Sequence, residues 1–247
     1  GIGHTGTYSS TEAQNEVYMK EINNISFAIV SFTYGTNGIP VPEDKEYSIN
    51  LLTEEVIRRE LQEAKSLNPD VIIAMPHMGN EYELIPEEQF AQWANLMFTE
   101  GADIVLASHP HVLQPVEYKY ITDENGVQKK VFVAYSLGNF ISSQRTEPRE
   151  AGVMLHFDFT KVEGEKTELT NVSYTPTWVQ YRDISGQYNI RVLPVYDVLS
   201  DLGSASEKYS LSAADIERIK RVHQETGQIF LNRELSLTEL QQEYVIE

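Results

Sequence analysis

Two hydrophobic periods alternate along the first 110 residues. Ile25 to Phe32 is a short apolar block rich in β-branched and aromatic residues, the pattern of a buried strand. Gly35 to Asp44, with two glycines and two prolines, must be a loop at that strand's carboxyl end, where it could line a crevice. Residues 53 to 67 then place Val56, Ile57, Leu61, Ala64 and Leu67 on one stripe with charges opposite, and Asn68-Pro69 ends the helix. Val71 to Met75 reads as a second buried strand. Pro86 suits the first turn of a second helix, Phe90, Trp93, Ala94 and Met97 form its core stripe, and Gly101 closes it before the apolar run Ile104 to Ala107. Strand, helix, strand, helix, strand implies parallel pairing through right-handed crossovers.

Elsewhere the pattern changes. The first 24 residues are rich in Gly, Thr, Ser and Glu around His4, with weak helical periodicity over Glu12 to Ile22. Val116 to Thr122 and Lys130 to Tyr135 are strand-like and flank Asn125-Gly126, a turn pair suited to a hairpin. Val153 to Phe159, Leu169 to Tyr174, Thr177 to Arg182 and Tyr188 to Val195 keep a period near two, with turn signals between them, which predicts an antiparallel β layer. Tyr174, Trp178, Tyr181 and Tyr188 read as sheet packing rather than a polymer-binding face. Capping-box patterns open helices at Ser212 and Ser236. The fold class is α/β, α+β in the second half, with a boundary near 160: residues 1–160 form the α/β part and 161–247 a β layer with carboxyl-terminal helices packed on the same domain.

A length of 247 residues supports one substantial core, or a core with a smaller appendage, and 41% hydrophobic with 23% charged residues is ordinary globular composition. The formal net charge of −18 argues against unspecific binding of nucleic acid or anionic lipid. It would equally repel an acidic polymer, so contact with one needs metals or a local basic patch. With no cysteine, disulfides and thiolate sites are excluded, leaving histidine, carboxylate and amide ligands. No apolar stretch reaches the roughly eighteen residues of a membrane span, and no basic-then-apolar leader opens the chain.

Ligand chemistry concentrates where the apolar runs end. His77 follows one, and His109-Pro110-His111 follows the next. In extended backbone residues i and i+2 share a side, so His109 and His111 can face a common space. Loops at the carboxyl ends of adjacent parallel strands meet in one crevice, which would bring in His77. Of the other histidines, His4 suits an exposed loop, from which it is the remaining candidate to bind substrate or support a ligand, His156 the polar face of a strand and His223 a helix surface. Asn139 could orient a water or phosphate oxygen, or its amide could hold a loop. Glu81, after His77, could fix an imidazole from behind or be a solvated carboxylate.

The runs His77-Met78-Gly79-Asn80-Glu81-Tyr82, Gly101-Ala102-Asp103-Ile104-Val105 into His109-Pro110-His111-Val112, and Tyr135-Ser136-Leu137-Gly138-Asn139-Phe140 resemble the bacterial capsule-synthesis, poly-γ-glutamate type family. This is a branch of the calcineurin-like metallophosphoesterases. The opening Gly3-His4-Thr5-Gly6-Thr7-Tyr8 is similar too, and the likeness spans roughly residues 1 to 160. Met78 stands where the family usually has tryptophan, and Ser108 where the superfamily has glycine. The resemblance implies part of a four-layer α/β/β/α sandwich with two divalent cations, manganese, iron or zinc, and His77, His109 and His111 as neutral ligands. It implies a metal-dependent phosphoesterase-like hydrolase acting on an anionic capsule polymer or phosphoester. The second class is a non-catalytic assembly or export component. Other capsule-synthesis subunits would be partners. The superfamily's Gly-Asp, Asn or Glu, and Asn-His elements precede the matched part and are not found here. The expectation is therefore a chain lacking an amino-terminal portion, inactive alone, in a protein outside the cytoplasm and anchored to a membrane upstream.

Overall fold

A computed structural model of the chain describes residues 2–122, 126 and 128–247. One turn of helix, α1 (Thr11–Gln14), capped by the Ser10 side chain, precedes β1 (Tyr18–Ile22) and β2 (Ile25–Thr33). Asn23 and Asn24, both at positive φ, join the two strands. The helical periodicity over Glu12–Ile22 therefore reaches only one turn. A two-residue loop with two left-handed residues matches strand twist, so pairing of Ile22 with Ile25 through to Tyr18 with Ile29 overrides a weak local preference.

Helix α2 (Glu54–Ser66), capped by Thr53, buries Ile57, Leu61 and Ala64. It leads to β3 (Val71–His77), α3 (Glu88–Glu100) and β4 (Ile104–Leu106), followed by β5 (Val116–Thr122) and β6 (Gln128–Ala134). The first sheet has the order β1-β2-β3-β4-β6-β5, with β2, β3, β4 and β6 parallel and the two outer strands antiparallel. The expected parallel pairing holds and extends to β6. The β5–β6 hairpin forms, but Asn125 of its turn lies outside the described residues. Trp93 and Phe90 are only half-buried; Trp93 packs on the margin of the core that Ala94, Met97 and Phe98 fill.

The second sheet contains β7 (Ala151–Thr160), β8 (Glu168–Ile184) and β9 (Gln187–Pro194). Helices α4 (Val195–Leu199), α5 (Leu202–Tyr209) and α6 (Ala213–Leu231) follow, and β10 (Tyr244–Val245) returns to the sheet. The two strands expected on either side of Pro176 are one. On one edge β8 pairs with β10 at Ser173 and Tyr174 and with β9 from Thr177 onward, so Pro176 falls where the partner changes and a missing N–H is tolerated. Ser236 caps a single 3₁₀ turn, Leu237–Glu239, rather than a helix, although its capping box with Glu239 is complete.

Four layers result, as the α/β/β/α expectation requires. Helices α2 and α3 cover one face of the first sheet through Ile57, Leu61, Met97 and Phe98. Its other face meets β7 edge-to-face, Phe132 on Phe157 with ring centroids 5.6 Å apart and Phe27 on Phe159 at 5.5 Å. Beyond the second sheet lies α6, whose Phe230 packs on Tyr174 at 4.9 Å. His223, expected on a surface, is fully buried on this helix in line with Ile219, Thr226 and Phe230. Its Nε2–H donates to the Ser236 carbonyl at 3.1 Å and its Nδ1 lies 3.4 Å from the Tyr244 hydroxyl, so it is a satisfied core histidine.

Asp70 clamps the two sheets together at the end away from the histidines. Its carboxylate accepts from the Lys161 ammonium at 2.7 Å, from the backbone N–H and hydroxyl of Ser26 at 2.8 and 2.9 Å, and from Thr167 at 3.2 Å. Lys161, then the Ser26 N–H, holds this carboxyl well below the usual carboxylate range. Because the folded value is depressed, the contribution is complete above the ordinary aspartate pKa of about 3.9 and is lost as pH falls below it. Asp70→Asn should destabilise the protein by about 1–2 kcal/mol at neutral pH. The gap between variant and wild type should close on acidification; urea melts that show a constant gap would contradict this.

Candidate functional site

Parallel register sets the crevice. Thr33 pairs with His77 across β2 and β3, and beyond the strand the backbone keeps the pattern, with Met78 N–H donating to the Ser108 carbonyl at 2.8 Å and Ser108 N–H to the Pro76 carbonyl at 3.1 Å. His77 thus ends β3 level with the loop that follows β4. The two loops touch directly: a Cβ on Gly79, at φ +126°, would lie 2.6 Å from the Pro110 ring. Only glycine allows that approach.

The three histidines come together. The ring centroids of His77 and His109 are 4.6 Å apart and those of His109 and His111 are 6.2 Å apart. The backbone that achieves this is not extended. His109 has φ 137° and His111 φ 60°, so the imidazoles converge through a turn with two left-handed, non-glycine residues rather than through strand alternation. Such conformations cost about 1–3 kcal/mol each and persist where surrounding contacts enforce them. Tyr82, at φ 71°, donates its N–H to the Pro110 carbonyl at 2.8 Å and braces the turn from the neighbouring loop.

Asn139 sets the tautomer of His111. Its amide NH₂ donates to the carbonyls of Arg149 at 2.7 Å and His111 at 3.2 Å, so its oxygen must be the atom 2.9 Å from His111 Nδ1. That oxygen only accepts, so Nδ1 carries a proton, and Nε2 is the nitrogen left to offer a lone pair in the neutral ring. The amide thus does both things open to it, holding a loop and orienting a ring. It reaches this place through a two-glycine notch. A Cβ on Gly138 would sit 2.3 Å from the Ala151 carbonyl oxygen and one on Gly152 2.4 Å from that of Asn139, while Asn139 N–H bonds Ala151 at 3.0 Å.

His77 and His109 are held below their ordinary pKa. For His77 the first cause is burial on the side where its ring lies against its neighbours, the other edge being exposed, followed by His109 and His111. For His109 burial again leads, opposed by the Glu81 carboxylate and aided by His111. Both are therefore neutral at pH 7 with lone pairs to offer. Ser108 Oγ lies 3.4 Å from His77 Nδ1.

Glu81 is exposed and reaches His109 through charge alone; no hydrogen bond joins it to an imidazole among the described residues. His4 is exposed and has no hydrogen bond or ring contact with the cluster. His156 lies on β7, bonded to Thr175 at 2.9 Å. Three side chains that sequence reasoning passed over also line the crevice. Tyr34, at the end of β2, packs its ring 4.4 Å from His109 and 5.9 Å from His77; Tyr82 stacks 6.2 Å from His111; and the Arg149 guanidinium lies 3.5 Å over the Tyr82 ring. The loop forecast after β2 was the available signal for Tyr34, and the run His77–Tyr82 for Tyr82.

Neutral imidazoles with free lone pairs fit the nitrogen share of a metal centre. They do not form a cage alone: among the described residues no group of three His, Asp or Glu side chains is placed to hold an ion. Donors beyond these three would have to complete it.

A family model described as bacterial capsule synthesis protein PGA_cap matches residues 1–144. The PGA biosynthesis protein CapA of Bacillus subtilis (strain 168) is 27% identical over 199 residues, covering 75% of this chain and 47% of its own. The capsule biosynthesis protein CapA of Bacillus anthracis is 28% identical over 136 residues, covering 54% and 31%. These matches span less than half the length of either relative. Among solved structures, the NAD nucleotidase NadN of Haemophilus influenzae overlays 90% of this chain and 39% of its own, at 12% identity and a TM-score of 0.39. With more than half of its residues matched, including all three crevice histidines, the chain belongs to the bacterial capsule synthesis protein PGA_cap family.

Proposed function

We propose that this chain supplies the histidine half of a metal-dependent, phosphoesterase-like hydrolytic site in a protein of capsule biosynthesis. The protein would work outside the cytoplasm, tethered to a membrane, on an anionic polymer of the poly-γ-glutamate kind or a phosphoester precursor, beside other capsule-synthesis subunits. The observation that carries this reading is the Asn139–His111 contact, which leaves Nε2 as the nitrogen of His111 available to a ligand, beside two further imidazoles.

His77, His109 and His111 would hold divalent manganese, iron or zinc, with carboxylates from elsewhere completing the set. When bound, such ions lower the pKa of water and neutralise charge on phosphoryl oxygens. The remaining work falls to the chain. Asn139 keeps the His111 ring oriented, Tyr34 shields one flank of His77 and His109 from water, and burial keeps both neutral. A ligating imidazole has no proton to give, so the leaving group draws its proton from another donor. A second reading is an assembly or export component that keeps the fold without turnover, since a fold does not guarantee its usual chemistry.

Elemental analysis of the full-length protein, with phosphodiester hydrolysis measured with and without chelator, separates the two. The first reading expects bound metal and chelator-sensitive turnover. Metal-free protein that still supports capsule production would overturn it. His109→Gly adds a sharper signature: metal content should fall while the metal-free protein gains about 1 kcal/mol from release of backbone strain, a Tm rise of about 2–4 °C. Unchanged metal content would remove His109 from the ligands.

A further inference from the structure

Acidic residues outnumber basic ones by 37 to 19, and most arginines are engaged. Arg58, Arg59, Arg218, Arg221 and Arg233 each pair with a carboxylate, and Arg191 donates to Gln180. Arg149 differs. It is half-buried, yet among the described residues no carboxylate lies within ion-pair distance and no acceptor receives its side-chain N–H groups. Among the described residues its side chain makes one contact, the face of its guanidinium on Tyr82, 3.5 Å from the ring centroid. Stacking uses the face of the group and leaves its five N–H donors free at the edge.

The backbone beneath it is fixed. Arg149 N–H donates to the Thr146 carbonyl at 2.8 Å, its carbonyl accepts the Asn139 amide that orients His111, and its neighbour Glu150 is bound by Arg218 and by the Val179 N–H at 2.8 Å. A positioned guanidinium without a counter-charge stands one aromatic ring away from His111, in a molecule whose overall field repels anions.

We propose that Arg149, held flat on Tyr82, is the oxyanion-recognition group of the crevice, taking a carboxylate or phosphate bidentately at its free edge and setting the position of an anionic substrate beside His111. This rests on the crevice being the reactive site, and it names the local cation that lets a strongly acidic protein accept an acidic ligand. Bidentate guanidinium contacts are charge-assisted and directional, which lysine does not reproduce.

Calorimetric titration at low salt of protein stripped of metal and then dialysed free of chelator tests it apart from metal binding, using inorganic phosphate in one arm and a short glutamate oligopeptide in the other. Arg149→Met, which keeps an apolar stem over Tyr82, should weaken binding about 10–100-fold. Arg149→Lys should fall between it and wild type. Tyr82→Phe should bind like wild type, and Tyr82→Leu should weaken binding. Arg145, stacked 4.0 Å over Tyr181 and also without a carboxylate partner among the described residues, provides the charge control: Arg145→Gln should leave phosphate affinity within about twofold. Binding of one probe alone supports the proposal and identifies the source of the oxyanion, and binding of both supports the shared chemistry. Wild-type protein that binds neither, or Arg149→Met that titrates like wild type, overturns the proposal. Neither result touches the metal reading, which fails only on metal content and turnover.

Discussion

Arg218→Ala is expected to destabilise the protein by about 3–5 kcal/mol, because it strands a buried carboxylate. The Arg218 and Glu150 side chains are both 8% exposed and pair directly through Nε, while Nη1 and Nη2 form a two-pronged contact with Glu225 at 2.9 Å each. Glu150 has no reserve, since its second carboxylate oxygen is buried with no hydrogen-bond partner among the described residues. Removing the guanidinium therefore leaves a charge that must be protonated, hydrated or expelled. The loss should appear as a lower denaturant midpoint at unchanged m-value. Replacing the group as a whole, Arg218→Met with Glu150→Met and Glu225→Gln, should recover most of it, as apolar substitutes often match a buried ion pair. A loss under about 1 kcal/mol for Arg218→Ala would mean that the pair is already hydrated. The effect should also reach the crevice, since Glu150 adjoins the carbonyl that holds Asn139.

Asn139→Leu should weaken metal binding by the full-length protein about 10–100-fold, the usual scale for losing the group behind a ligating histidine. Leucine keeps the branched outline of asparagine, though bulkier, but offers His111 Nδ1 no acceptor, freeing the ring to rotate and to change tautomer. It also leaves the carbonyls of Arg149 and His111 without their donor, which should cost about 1–3 kcal/mol of stability. Asn139→Asp divides the two effects. Its carboxylate still accepts from Nδ1, so metal affinity should stay closer to wild type, but it cannot donate to the two carbonyls and stability should fall. Competition against a chelating dye measures the first quantity and thermal melting the second. Unchanged metal affinity in the leucine variant would show that His111 needs no support, and the assignment of Asn139 would fail.

What the amino-acid pattern could reveal depended on how local the deciding interaction was. The runs around Ile29, Ile73 and Val105 announced β2, β3 and β4 because strands buried on both faces read as continuous apolar blocks. β1 was hidden, since its pairing with β2 is tertiary and only the Asn23-Asn24 turn betrays it. Pro176 looked like a break because nothing nearby shows that β8 exchanges partners there. His223 was misread although its place with Ile219, Thr226 and Phe230 carried the helical core spacing. In the crevice, His77, His109 and His111 were correctly brought together, but for a reason that fails at His109 and His111, whose backbone is left-handed rather than extended. Tyr34 meets His77 and His109, and Arg149 meets Tyr82, only through folding, and no spacing rule links them.

The left-handed turn at His109 and His111 also bears on how the protein would respond to engineering. Glycine or asparagine would sit there more comfortably than histidine, so a library screened only for heat resistance would be enriched in variants that have discarded an imidazole. Thermostabilised descendants of this chain would then be well folded and chemically blank, unless ligand retention is selected at every round.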